Sequence, residues 1–276
     1  MRLKVLSLFA AIQILSFGIW INLSHAEPFV PQPFEQAQIH PAPALPSELV
    51  ADLEEPTLLL HFATRNMSEE KRFLNAIRTN QIETALKKLP AEHVKSVKNI
   101  TIDYSEKAHR GLGGNYLIIL RGVNMSTEET IAVLVHEMGH NVDYGYLTPE
   151  EKKVQSPFID GNASLYETDP SLDFYRISWE TNQERKQTAI NTDFASGYAM
   201  SDPFEDFAES YTYYILHNKD FKKLAAGSEA LYAKYRFMKY QVFNGVEFDT
   251  GDGIVDNNQR PWDVTVLSYE ISDFLS

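Results

Sequence analysis

The chain has 276 residues, of which 43% are hydrophobic and 12% aromatic, and its net charge is −13 at pH 7. This composition argues against disorder over most of the length and allows one large domain or two small ones, while the acidic balance makes nucleic acid and anionic lipid poor partners. There are no cysteines, which excludes disulfides, thiolate metal sites and cysteine nucleophiles, so any metal must be held by His, Asp or Glu.

Residues 1–26 have the pattern of a secretory signal peptide. Arg2 and Lys4 precede an apolar run, and Ser24-His25-Ala26 places small residues where cleavage after Ala26 requires them. The alternative is an uncleaved membrane anchor, but Gln13 interrupts a run that is already borderline in length for a span. We expect an exported protein, secreted or periplasmic, without membrane contact once the signal is removed.

Composition also suggests how the remaining chain is divided. Residues 27–50 carry six prolines and little helical periodicity, which predicts an extended linker or a surface arm. The folded domain is expected over residues 51–244, and residues 245–276 form an acidic C-terminal segment.

Helix and strand patterns follow one another from residue 67. A helical pattern begins with Ser68 as a cap and stops at Pro90; its apolar positions are Phe73, Leu74, Ile77, Ala85, Leu86 and Leu89. KNITIDY (98–104) alternates like a strand, and GLGGNYLIILRG (111–122) is typical of a glycine turn followed by a short apolar strand.

The next helix carries the most informative residues. Ser126 and Glu129 form a predicted capping box, and the helix runs to about Tyr144. His136 and His140 are four residues apart, so both imidazoles project from one helical face and can bind one metal ion. Glu137 points roughly 100° away, where it can act as a base towards a water that the metal activates. This is the chemistry of the HExxH motif.

The alternative interpretation of HExxH, without a function, is two solvated histidines on a surface helix. Here the motif is embedded in apolar residues, VLVHEMGHNV (133–142), which predicts a buried site. Burying two histidines and a glutamate without a metal would be costly, so we favour a zinc site.

A catalytic zinc needs a third protein ligand. The HExxHxxGxxH spacing is not met, because Asp143 and Tyr146 stand at its glycine and third-histidine positions. The predicted helix DPFEDFAESYTYYILHN (202–218) offers Glu205 and Glu209 four residues apart, and Ala208 allows close approach. One glutamate would bind the metal and the other would orient a ligand histidine, but the spacing does not decide which.

Two blocks of about 15 residues, HEMGHNVDYGYL (136–147) and SGYAMSDPFEDFAES (196–210), resemble the lethal-factor-like zinc metallopeptidases. These gluzincins include the catalytic domain of anthrax lethal factor and the secreted Pro-Pro endopeptidases. The resemblance implies an α+β, mainly helical, zincin-like metallopeptidase domain with a small sheet next to the HExxH helix. It also implies one catalytic Zn²⁺ and hydrolysis of peptide bonds in a protein or peptide substrate.

The resemblance further implies individual roles. Glu205 corresponds to the glutamate ligand, which leaves Glu209 as the carboxylate that orients a ligand histidine. Tyr198, seven residues before Glu205, corresponds to the tyrosine that hydrogen-bonds the oxyanion. Asp143 fits the HExGHxVD pattern, and we expect it to support the metal ligands from the same helical face.

Two further features carry alternatives. The strand Asn115–Leu120 is either an edge strand that pairs with substrate, by analogy with zincins, or an ordinary core strand. In the 249–258 loop, Asp249, Asp252, Asp256 and Asn258 could offer oxygens to Ca²⁺, but the spacing is not that of an EF-hand and a plain acidic turn is the alternative.

The sequence therefore predicts an exported zinc metalloendopeptidase. The proposed site consists of the metal ligands His136, His140 and Glu205 with Glu137 and Tyr198 as catalytic residues. The alternatives are a catalytically silent binding protein of the same fold and, from the tail, a calcium-dependent adhesion module. Substrate specificity is expected to reside in residues 147–200. The sequence predicts neither the substrate itself nor the oligomeric state.

Overall fold

The structure is a computed structural model that describes residues 60–105, 109–121, 125–253 and 259–275. The predicted signal peptide and the proline-rich arm lie outside the described residues. Those that are described fall within one compact unit. The fold is mixed α and β with about 48% helix and a small sheet.

The main sheet has four strands in the order β1-β2-β4-β3. Strands β1, β2 and β4 are parallel, and β3 runs antiparallel to β4. The bounds are β1 His61–Arg65, β2 Asn99–Asp103, β3 Gly111–Gly114 and β4 Leu117–Arg121. Ile100, Ile118 and Leu120 are fully buried, as expected for central strands covered by helices.

The sheet decides between two open interpretations of one segment and corrects the interpretation of another. The apolar strand near 115–120 is β4, which lies between β2 and β3, so the core-strand alternative is confirmed and the edge strand next to it is β3. The glycines form that edge strand, and the turn is Asn115-Tyr116, where both residues have positive φ (50° and 63°). A two-residue hairpin with two positive φ angles matches the twist of the strands it joins.

The helices occupy both the intervals between strands and most of the second half of the chain. They are α1 Arg72–Leu86, α2 Ala91–Val94, α3 Thr127–Gly145, α4 Ser171–Ser178, α5 Pro203–Leu216, α6 Asn218–Ala225, α7 Glu229–Phe237 and α8 Ser272–Leu275. A small hairpin, β5 Gln155–Asp160 and β6 Ala163–Tyr166, follows α3. None of the described helices is long and apolar enough to cross a membrane.

Helix α1 differs from its predicted packing. Ala85 and Leu86 are buried as expected, but Phe73 is 78% exposed and Leu74 and Ile77 are also exposed. The helical periodicity of the apolar residues therefore predicts the helix correctly, but only the C-terminal half of that helix packs on the core.

Helix α3 lies at the centre of the described fold. Its buried residues occur on every face from Thr130 to Asp143, because β3 and β4 pack on one side and α5 on the other. A helix that is apolar all round requires such enclosure. Ser126 caps it through the Glu129 backbone N–H at 3.0 Å. The Glu129 side chain pairs with Arg110 instead of completing the capping box.

Candidate metal centre

Helices α3 and α5 cross at an unusually short distance. A β-carbon built on Gly139 would lie 2.9 Å from the α-carbon of Ala208, which is closer than real β-carbons approach. The two small residues therefore let the helices meet, as the sequence predicted for Ala208. Because Gly139 lies between the two HExxH histidines, this crossing brings their imidazoles against the first turn of α5.

The first turn of α5 is fixed by Asp202. Its carboxylate accepts hydrogen bonds from the backbone N–H groups of Phe204 and Glu205, both at 2.9 Å, and Pro203 occupies the first helical position. Asp202 is thus the N-cap of α5, and it sets where the Glu205 side chain leaves the helix.

His136, His140 and Glu205 offer ligand atoms that converge on one point. Glu205 Oε2 lies 3.1 Å from His136 Nε2 and 3.5 Å from His140 Nε2. Two ligands at about 2.05 Å from a tetrahedral zinc are about 3.3 Å apart. The observed spacing matches that value, and two imidazoles with one carboxylate are suitable donors for zinc. The three residues can therefore hold a metal ion.

The charge states of the three groups favour the same conclusion. Burial works to lower the pKa of His136 and of His140, but the neighbouring carboxylates outweigh it and raise both. Burial likewise opposes ionisation of Glu205, but hydrogen bonds from the two histidines lower its pKa. A metal cation at this point would replace the additional protons on the two histidines.

Glu209 contacts His136 from the side opposite Glu205. Its Oε1 lies 3.0 Å from His136 Nδ1, but the two atoms do not have the alignment of a hydrogen bond. Its Oε2 accepts from the hydroxyl of Ser196 at 2.5 Å and from the Val264 backbone N–H at 2.9 Å. The side chain is fully buried. A carboxylate on the far nitrogen fixes a ligand histidine in one tautomer and orientation.

Glu137 lies under the edge strand β3. Its side chain is 6% exposed and lines the same cavity as the histidines and Tyr198. Gly111 faces it so closely that a β-carbon there would lie 2.1 Å from Glu137 Oε1. Burial raises the pKa of the Glu137 carboxyl, which makes the carboxylate a stronger base.

Tyr198 begins a single 3₁₀ turn, Tyr198–Met200, that precedes α5. Its hydroxyl donates to Glu205 Oε1 at 2.9 Å, and its ring centroid is 6.0 Å from that of His136. Burial, followed by the Glu205 charge, raises the pKa of the phenol. The group therefore stays protonated and available as a hydrogen-bond donor at neutral pH.

Asp143 lies on the same face of α3 and lines the cavity. Its Oδ2 accepts a 2.5 Å hydrogen bond from the hydroxyl of Tyr175 on α4. Burial raises the pKa of this carboxyl to about 7. Its expected support of the ligands stays a prediction, since the contact that the structure gives it is to Tyr175.

A cavity of about 560 Å³ opens over these residues. Strand β3 lines one side, and the β5–β6 hairpin lines the other through Asp160 and Leu165. Thr148, Pro149 and Lys152, from the segment that follows α3, also line the cavity. These residues lie within 147–200, where substrate specificity is expected, but they form no motif and meet the site only in the folded chain.

The predicted calcium loop is described only in part. Asp256 and Asn258 lie outside the described residues, and Asp249 pairs with Lys219 at 2.8 Å on the surface. In the described ranges, one group of three or more His, Asp or Glu side chains is close enough to share an ion, and it consists of His136, His140 and Glu205. Calcium at 249–258 stays a prediction.

No family model, curated protein or solved structure matches the chain. The resemblance to lethal-factor-like metallopeptidases therefore depends on the two sequence blocks alone.

Proposed function

We propose that the protein is an exported zinc metalloendopeptidase with a zincin-like catalytic domain. The observation that carries the proposal is the convergence of His136, His140 and Glu205 within zinc-binding distance, with Glu137 and Tyr198 on the same cavity. All five residues were predicted from sequence, and a fold that brings five such groups together has few purely structural explanations.

Zinc bound by these ligands would act as a Lewis acid and make water nucleophilic at neutral pH. Glu137 is the general base in this proposal: its buried carboxylate accepts the proton and later delivers it to the leaving amine. The raised pKa suits both roles, because the group must take up and release a proton near neutrality.

Tyr198 supplies the hydrogen bond to the negative charge that develops on the substrate carbonyl oxygen. Its hydroxyl is already directed at the metal ligands, where it contacts Glu205. Because the phenol stays protonated, it donates without first having to collect a proton.

The cavity is suited to an extended peptide. In the part of the chain that the structure describes, β3 pairs with β4 on one side and with no strand on its other side, and it lies against Glu137. A substrate strand added there would gain main-chain hydrogen bonds irrespective of its sequence. The opposite wall, formed by the β5–β6 hairpin, would contact substrate side chains and set specificity.

The deciding experiment combines metal analysis with digestion of a peptide library. Protein prepared without chelators and offered zinc should bind one equivalent and cleave peptides, and chelation should abolish both until zinc is restored. His136→Ala is the matched protein control and should do neither. A protein that takes up no zinc would reject the proposal. One that binds zinc without cleaving would be a metallopeptidase-fold binding protein.

A further inference from the structure

The C-terminal segment contacts the turn that carries Tyr198. The backbone N–H of Gly197 donates to the carbonyl of Pro261 at 2.8 Å, and that of Tyr198 donates to the carbonyl of Trp262 at 2.6 Å. Two consecutive N–H groups are thereby fixed on two consecutive carbonyls, more than 60 residues away in sequence. The main chain of Tyr198 is held from outside its own turn.

The same segment reaches the metal ligands through Glu209. The backbone N–H of Val264, a fully buried residue, donates to Glu209 Oε2 at 2.9 Å. The other oxygen of Glu209 lies 3.0 Å from His136 Nδ1. Val264 therefore helps to satisfy the buried carboxylate that faces the ligand histidine.

A third contact joins the segment to the strand over Glu137. Asp263 forms an ion pair with Arg110, which directly precedes β3. Arg110 also pairs with Glu129 on α3 at 3.0 Å, and both Asp263 and Arg110 line a second cavity that His136, Glu137 and Tyr198 share. The carboxylate of Asp263 also accepts from the Thr265 backbone N–H at 2.7 Å, which shapes the segment locally.

We propose that residues 261–264, here named the C-terminal strap, are a positioning element of the active site. The strap fixes the Tyr198 turn, Glu209 and the start of β3 relative to one another. The start of β3 is distant in sequence from the Tyr198 turn and Glu209, and catalytic groups need placement within about 0.5 Å to be effective. The inference rests on the proposed peptidase function.

Hydrophobic anchoring alone does not account for the strap. Trp262, its largest side chain, is 72% exposed and lies against Gly197, where a β-carbon would come within 2.6 Å of the ring. Three of the four strap residues instead direct backbone groups at Gly197, Tyr198 and Glu209, and the fourth, Asp263, pairs with Arg110. Directional contacts of this kind fix geometry more than they add stability.

A double-mutant cycle between Asp263 and Tyr198 tests the inference. Asp263→Ala removes the Arg110 pair and the Thr265 contact, and we expect kcat to fall about 10- to 100-fold while KM changes little. In the Tyr198→Phe background the same change should cost several-fold less, because one of the groups that the strap positions is already absent. Asp263→Asn can keep the Thr265 contact through its amide oxygen but places its NH₂ group against the Arg110 guanidinium, so it isolates the ion pair and should lose kcat as Asp263→Ala does.

Hydrogen exchange gives a second measure that does not need activity. The Tyr198 and Val264 amides should be protected in the wild type and exchange at least about tenfold faster in Asp263→Ala. Asp273→Ala, on the exposed face of α8 in the same terminal region, is the matched control and should change neither exchange nor kcat. If Asp263→Ala does not fold, Arg110→Gln removes the same ion pair from the strand side and takes its place in the cycle.

The outcomes separate the two proposals. Equal losses of kcat from Asp263→Ala with and without Tyr198, or unchanged exchange at Tyr198, would overturn the positioning role while leaving the peptidase function in place. A wild-type protein that binds zinc but cleaves nothing would overturn the proposed function and this inference with it.

Discussion

Gly113 lies so close to Glu137 that a β-carbon on the glycine would be 2.5 Å from the backbone oxygen of the glutamate. Gly111, two residues earlier on the same face of β3, approaches the Glu137 carboxylate in the same way. The edge strand therefore carries glycine wherever it faces the proposed general base. The edge of β3, and any peptide paired with it, can therefore lie directly beside the Glu137 carboxylate, which would accept the proton.

This contact predicts that Gly113→Ala reduces activity at least about tenfold and destabilises the protein by about 1–3 kcal/mol, since the methyl group meets backbone that cannot rotate away. Gly111→Ala should cost less stability, because it meets the end of a flexible side chain, but should still displace the carboxylate. Peptide cleavage and denaturant unfolding measure both effects. Gly227→Ala, whose β-carbon would meet its nearest atom at an ordinary 3.5 Å, is the control. Full activity in Gly113→Ala would show that β3 does not constrain Glu137.

Glu137→Gln should bind zinc and unfold at the same denaturant concentration as the wild type but lose cleavage by about 10²–10⁴-fold. The amide keeps the size of the side chain and cannot accept the proton. Single-turnover cleavage, with metal content measured on the same sample, checks this. Wild-type rates in a zinc-loaded Glu137→Gln protein would rule out the mechanism.

Glu209→Gln should weaken zinc binding about 10- to 100-fold, because the carboxylate that faces His136 Nδ1 orients the ring and increases its basicity. Competition with a chelating dye measures the affinity. Glu229→Gln, an exposed glutamate on α7, should bind zinc as the wild type does. An unchanged affinity in Glu209→Gln would mean that the contact is only structural.

His93 predicts a pH dependence of stability away from the metal site. It is 1% exposed, its Nδ1 lies 3.0 Å from the Tyr211 hydroxyl, and its Nε2 lies 2.9 Å from the Val242 carbonyl. Burial lowers the pKa of this histidine from 6.5 to about 4. Between these values the unfolded chain binds a proton that the folded chain does not, so stability is complete above pH 6.5 and falls by about 3 kcal/mol as the pH drops to 4.

Urea unfolding of metal-free protein at a series of pH values measures this contribution. His93→Gln is less stable near neutrality but should have a shallower slope between pH 6.5 and 4. His61→Gln, at an exposed histidine, should keep the wild-type slope. Parallel slopes for the wild type and His93→Gln would show that His93 is not the group that titrates.

Several parts of the fold were predictable because their signals are local. The start of α3 at Ser126, the cap of α5 at Asp202 and the shared face of His136 and His140 all depend on residues within one or two helical turns. Helix geometry alone converts that spacing into a pair of metal ligands.

Other parts depend on contacts between distant segments and could not be read from spacing. Glu205 and Glu209 are equivalent along α5, and only the crossing at Gly139 places the first on Nε2 of the histidines and the second on Nδ1 of His136. The sequence of the β3 glycines predicts a turn instead of a strand, because the residue that they accommodate, Glu137, is more than 20 positions away.

The sequence by itself predicted that two helices carry a set of candidate metal ligands, and its spacing left Glu205 and Glu209 as alternatives for the carboxylate, since periodicity and capping act over a few residues. The tertiary structure alone decided which carboxylate meets the metal position, which strand lies at the edge, and that residues 261–264 contact Tyr198 and Glu209. Those features are fixed by packing between segments far apart in the chain, and a single sequence records no such distances.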